Sequence, residues 1–175
     1  GSEMCIRDRN TLAEACRTAK TEPSQLIHRI ASMNDEIKSL SSENEKLKAK
    51  LANEAVGDVL ANVQEIGSFR FLPVSVADVD MNGLRTLGDN MKDKIGSGIV
   101  ILASTQGDKV NIIAMATDDA VAKGAHAGNL IKAVAPIVGG GGGGRPNMAQ
   151  AGGKNPAGID EMLAKAAEVA AQQLQ

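Results

Sequence analysis

Tryptophan and tyrosine are absent from this 175-residue chain, and phenylalanine occurs only as Phe69 and Phe71. The core must therefore be aliphatic, and little is available for stacking nucleic-acid bases on aromatic rings. Cysteine is scarce too. Cys5 and Cys16 have neither CxxC spacing nor a neighbouring histidine, so a structural disulfide and a zinc site are not expected, and a reducing compartment fits. No secretory leader and no apolar run of about 18 residues is present, which reads as a soluble, cytoplasmic chain without a membrane partner. Charge of either sign is not in excess: 19 Lys and Arg stand against 21 Asp and Glu. Residues 67–175 carry 10 of each kind and residues 1–66 carry 9 basic against 11 acidic, so neither part is a nonspecific polycation. Catalytic signatures are missing as well. There is no Ser/His/Asp or Cys/His set, no P-loop, and no carboxylate cluster with histidine.

Two features are abundant. The first is a heptad seam. From Ser24, steps of four and three place Leu26, Met33, Leu40 and Leu47 at d and Ile30, Ile37, Asn44 and Leu51 at a. Pro23 and Ser24 suit the start of that helix. A lone Asn at an a position fixes register and favours two strands. The seam predicts a homodimer through a coiled coil, the alternative being an amphipathic helix packed within one chain. After Leu51 the stripe changes phase through Val56, Val59, Leu60, Val63 and Ile66, a stretch expected to dock on a globular part. Gly1–Arg9 fits no periodic pattern and reads as a non-native leader. The expected organisation is a leader at 1–9, a helical or coiled-coil arm at 10–66, and a globular domain at 67–175.

The globular part begins with an alternating strand over Ser68–Val76, in which Pro73 signals an edge or bulge. Asp80 can cap a helix with Met81, Leu84, Leu87, Met91 and Ile95 on its inner face, ended by Gly96. Gly98–Ser104 and Lys109–Ala116 read as strands of one hairpin, the first apolar on both faces and so central. A helix from about His126 to Val138 follows, which Pro136 kinks or ends early. Asn155 and Pro156 can open a last helix, with Asp160 and Glu161 near its positive end. The order is β-α-β-β-α-glycine loop-α, an α/β domain: a small sheet flanked by helices.

The second abundance is glycine. Gly139, Gly140, Gly141, Gly142, Gly143 and Gly144 run consecutively into Arg145-Pro146, and Ala151-Gly152-Gly153 follows as a further small-residue turn. Six glycines lose the most backbone entropy on ordering, so something must require bare backbone. Close approach of backbone or ligand is one such requirement. A nest of amide N–H groups aimed at an anion is another, and a flexible linker is the bland third reading. Lys123, Lys132, Arg145 and Lys154 carry the only charges from Val121 to Asn155, all positive. That favours a polyanion contacted through phosphate and sugar, though ordinary solvated lysines give the same pattern. His126, at a predicted helix start, can cap the helix or meet a phosphate, capping being the commoner role. His28 lies on a solvated face.

The string HAGNLIKAVAPIV from His126, the glycine run, and RPNMAQAGGK from Arg145 together resemble the C-terminal end of bacterial-type alanyl-tRNA synthetases. The resemblance reaches back through LRTLGDNMKDKIGSG at Leu84–Gly98 and covers most of residues 20–175. It implies a DHHA1-type fold behind a coiled-coil arm, and a partner in alanine tRNA rather than DNA. It also implies that the glycines, Arg145, Lys123, Lys132, Lys154 and His126 meet the RNA. The family's ATP, Mg²⁺ and Zn²⁺ belong to aminoacylation and editing domains whose motifs this chain lacks, so no cofactor and no catalytic residue is expected here, and those domains would precede residue 1. Two rival readings are the substrate-binding half of a DHH phosphoesterase, which would carry His where Arg145 stands, and a pure dimerisation module.

Overall fold

The computed structural model describes residues 1–55 and 59–175. Val56 of the phase-shifted stripe lies outside them, as does the side chain of Val59. The chain divides into two compact units, Gly1–Lys46 and Leu47–Gln175. The division falls earlier than Gly67, and the residues just before that glycine form a strand of the sheet, as described below.

In the first unit, α1 spans Ser2–Ala19, so the segment set aside as a leader is helical. Helix α1 ends at Lys20, whose left-handed φ of 55° lets the N–H groups of Lys20 and Thr21 reach Arg17 O and Cys16 O. Cys16 and Ala19 are buried, and both cysteines are free thiols. A 3₁₀ turn at Pro23–Gln25 leads into α2, Leu26–Ala55, where Pro23 supplies the preset φ that the sequence suggested. Along α2 most of the seam is exposed among the described residues. Ile30, Ile37, Leu40, Leu47 and Leu51 are 46–66 % exposed, while Leu26 and Met33 are half-buried.

The second unit holds a six-stranded mixed sheet in the order β1-β2-β3-β4-β6-β5. Its strands are β1 Gln64–Ile66, β2 Phe69–Ala77, β3 Gly98–Gln106, β4 Lys109–Ala116, β5 Gly141–Gly144 and β6 Met148–Gly153. The helices are α3 Met81–Ile95, α4 Asp118–Lys123, α5 Ala127–Val134 and α6 Ile159–Leu174. Strand β1 pairs with Phe69–Phe71, and Val63 and Ile66 pack on the core, which is why the sheet starts before Gly67. Pro73 lies past the end of β1, where no outer strand pairs with β2 and the missing N–H costs no ladder bond.

Strands β2 and β3 run parallel around the crossover helix α3, which Asp80 caps through its Oδ1 to Gly83 N at 2.8 Å. Gly96, at φ 77°, ends it as expected. Gly98 opens β3 at φ 147°, and a Cβ there would lie 1.7 Å from Arg70 O, so only glycine fits. Strand β3 is central and buried on both faces through Ser104. Ser104 is the one buried polar side chain among the described core residues. It accepts from Val79 N at 3.0 Å and donates to Val79 O at 2.6 Å, which pins the chain entering α3.

Two aliphatic layers result, one on each face of the sheet. Leu72, Val74, Val100, Leu102, Ile113 and Met115 meet α3, whereas Phe71, Ile99, Ile101, Ile112 and Ala114 meet α5 and α6. Burial of each large aliphatic side chain contributes about 1.5–3 kcal/mol, so an aromatic core is not needed. Helix α5 stops at Val134, and Pro136 turns the rest of the expected helix into a 3₁₀ segment, Ala135–Val138. Asn155 does not cap α6 with its side chain. It precedes a 3₁₀ turn at Pro156–Gly158, and α6 starts at Ile159 with Asp160 and Glu161 in its first turn.

Candidate functional site

The glycine run is a strand and not a loop. Gly141–Gly144 forms the outermost strand, antiparallel to β6, with Gly141 opposite Gly152 and Gly144 opposite Ala149. Met148–Gly153, read from sequence as ending in a turn, is the strand that joins this edge to β4. Across the two-residue turn Pro146-Asn147, Arg145 N donates to Met148 O at 2.8 Å. Hydrogen-bonded pairs alternate in an antiparallel ladder. Gly143–Gln150 and Gly141–Gly152 are therefore the bonded pairs, and Gly142 and Gly144 turn their N–H and C=O away from β6, with Gly144 O packed against Gly128 at the start of α5.

Packing accounts for alternate glycines. A Cβ at Gly140 would sit 1.7 Å from Gly152 O, at Gly142 2.2 Å from Gln150 O, and at Gly144 2.6 Å from Ala149 Cα. Gly139 holds φ 68°. Gly141, by contrast, has open space, and Gly143 meets only the flexible end of Lys132, at 3.4 Å. The expected nest of six amides shrinks accordingly. Gly139 N donates to Pro136 O and Gly140 N to Ala135 O, while Gly141 and Gly143 serve the ladder.

The start of α5 is also spent internally. Ala127 N donates to Pro146 O at 2.8 Å and Gly128 N to Arg145 O at 3.2 Å, so the hairpin turn occupies the helix N-terminus where an anion would otherwise rest. His126 caps the same helix, its Nδ1 accepting from Asn129 N at 3.0 Å. Of the two roles read for His126, capping is the one this geometry fills. Gln173 of α6 holds the backbone of His126 from both sides, accepting from its N–H at 3.0 Å and donating to its C=O at 3.2 Å. Gln173 was not legible as a supporting residue, because nothing local connects it to His126.

The four cations do not converge on one point. Lys132 lies over Gly143, Arg145 begins the exposed hairpin turn, and Lys123 ends α4. Lys154 instead joins Lys109, Asn111 and Gly139–Gly141 around a groove of about 400 Å³, with Gly152 and Gly153 opposite. Sequence reading missed Lys109 and Asn111. They reach the glycines only because β6 inserts between β4 and β5, which no local pattern announces.

Away from this edge, Ser97 and Thr117 both donate hydroxyl hydrogen bonds to the exposed carboxylate of Asp119. Those bonds, the one from Ser97 first, hold its pKa below the ordinary value. A depressed folded-state pKa gives stability that is present above the unfolded value, near 3.8, and lost as pH falls through the folded one. Urea midpoints should therefore show Asp119→Asn less stable than the parent at pH 7, with the gap closing below about pH 4. A gap independent of pH would show that the carboxylate's charge is irrelevant.

Among the described residues no cluster of three or more His, Cys, Asp or Glu is arranged to hold a metal, and no helix is long and apolar enough to cross a membrane. The DHHA1 domain model matches residues 68–172. Alanine–tRNA ligase 1 of Lachnoclostridium phytofermentans is 61 % identical over 163 residues, covering 93 % of this chain and 18 % of that protein. The alanine–tRNA ligase of Alkaliphilus oremlandii is 45 % identical over 168 residues, covering 96 % and 19 % respectively. This chain thus spans under a fifth of the length of those relatives. Among solved structures, the C-Ala domain from Aquifex aeolicus alanyl-tRNA synthetase superimposes with a TM-score of 0.58 at 29 % identity, over 62 % of this chain and 97 % of that one.

Proposed function

We propose, since this chain belongs to the DHHA1 domain family, that it is the C-terminal tRNA-binding and dimerisation region of an alanine–tRNA ligase. The observation that carries this reading is the 61 % identity with such a ligase, sustained over 93 % of the chain and so over both the helical and the sheet-bearing parts. In this reading the ATP- and Mg²⁺-dependent attachment of alanine, and editing at a Zn²⁺-binding domain, are performed by other parts of the ligase in the cytoplasm. This region holds the tRNA while they act on it.

The chemistry of the outer edge supports an RNA partner. Arg145, Lys132 and Lys154 are exposed around a strand whose Gly142 and Gly144 amides face outward, and residues 121–155 carry no acid to compete. Such a surface suits phosphate and ribose oxygens and offers nothing for stacking bases, so contact is to backbone and shape. The exposed seam of α2 supports a second copy of the chain as partner. Ile37, 62 % exposed, and Leu40, 57 % exposed, sit on the a/d stripe with Asn44.

Binding to alanine tRNA at two salt concentrations tests the first part. The expected result is affinity that falls steeply with salt, and that Arg145→Ala weakens by roughly tenfold while reducing the salt slope by about one. Salt-insensitive binding, or binding no better than to a mononucleotide, would contradict it.

A further inference from the structure

The groove lined by Lys109, Asn111, Gly139–Gly141 and Lys154 holds an arrangement that the fold itself does not explain. Val110 is registered opposite Gly153, so the antiparallel ladder makes Lys109 and Lys154 the next neighbours across β4 and β6. Like charges facing each other across a strand pair repel. Among the described residues the only ion pair is Lys165–Glu168, so neither lysine has a carboxylate within 4.0 Å. Between the two walls, Gly141 leaves open space that a side chain could fill without a clash, unlike Gly140 and Gly142 on either side of it. Asn111 donates through Nδ2 to Gln106 Oε1 at 2.9 Å, and among the described residues no donor reaches its Oδ1.

We propose that this groove is a discrete subsite for one ribose phosphate, the anion set between Lys109 and Lys154 and the sugar resting on the bare backbone at Gly141. An anion there adds two attractions that offset the lysine–lysine repulsion. Ribose hydroxyls then have Asn111 Oδ1 as an acceptor. A volume of about 400 Å³ accommodates a nucleotide-sized group and not a duplex, so the site takes a single residue of a chain or a free nucleotide. The inference rests on the proposed tRNA reading only for the polymeric source of that group.

The test uses the full chain and two probes. Amide shifts of Gly139–Gly141, Gly152 and Gly153 are followed by NMR during titration with 5′-AMP, with adenosine as the phosphate-free control. Binding to alanine tRNA is measured in parallel for the parent and for the double variant Lys109→Gln/Lys154→Gln, whose exposed positions leave the fold intact. The expected result is movement of those amides with 5′-AMP and not with adenosine. The double variant should lose at least tenfold in tRNA affinity and about two units of salt slope. Response to 5′-AMP with unchanged tRNA affinity supports the subsite with a free nucleotide as its occupant. Loss of tRNA affinity without a 5′-AMP response supports it with the polymer as occupant. No response to 5′-AMP together with tRNA affinity equal to the parent's would overturn the inference and leave the tRNA reading intact. Should the parent fail to bind tRNA, that reading falls, and the 5′-AMP arm alone decides the groove.

Discussion

Replacing Gly142 by alanine is expected to destabilise the sheet-bearing unit by about 3 kcal/mol, while the same change at Gly141 costs less than about 0.5 kcal/mol. Both residues belong to one strand and to one run of six identical residues, so composition and helix or strand propensity cannot separate them. Geometry does. A Cβ added at Gly142 would enter the backbone of β6, 2.2 Å from Gln150 O and 2.6 Å from Ala151 Cα. Backbone cannot swing aside as a side chain can, so either β5 detaches from β6 or the pair shifts out of register. At Gly141 the new methyl meets nothing within 4 Å. Urea midpoints of the two variants decide the matter. Equal midpoints would mean that the run is a mobile linker and not a strand.

Leu40→Ala is expected to weaken self-association of the chain by about 3–4 kcal/mol, or some hundred- to a thousandfold in dissociation constant. The magnitude follows from symmetry. One substitution removes two leucines from a two-stranded seam, each contributing roughly 1.5–3 kcal/mol when buried, less what the truncated side chain retains. Leu40 is 57 % exposed in the single chain, so its truncation opens no cavity within one copy, and the loss should appear in association alone. Asn44→Ile is expected to act the other way, tightening association while relaxing register and strand number. Equilibrium sedimentation over a range of concentrations measures both. A parent chain that remains monomeric at high micromolar concentration would contradict the dimer seam.

Much of the architecture was legible because local chemistry and tertiary structure agree there. Asp80 and Gly96 bracket α3 as their residue types dictate, and Gly107 turns β3 into β4 at φ 59°. Pro136 ends α5 where its missing N–H requires. The misses share one cause. Gly141–Gly144 carries no side chains and so no alternation, the signal by which strands are read from sequence. Its strand character comes from pairing with β6, whose Ala149 and Ala151 are small enough to let α5 pack on that face of the sheet. Lys109 and Gln173 stayed hidden for the related reason that their neighbours are fixed by strand order and by helix docking, which are long-range facts. For His126 the choice between two roles turned on where its Nδ1 points, and no spacing encodes that.

The most direct test of the central claim is amide hydrogen exchange of Gly142 and Gly144 with and without alanine tRNA. These two outward amides have no partner in the β5–β6 ladder, so they exchange readily in the free chain. The account predicts that bound tRNA slows them, along with the Arg145 turn, and leaves the buried β3 amides unchanged. Tight tRNA binding that leaves Gly142 and Gly144 exchanging at their free rates would place the RNA elsewhere and contradict the assignment of the glycine strand as its contact surface.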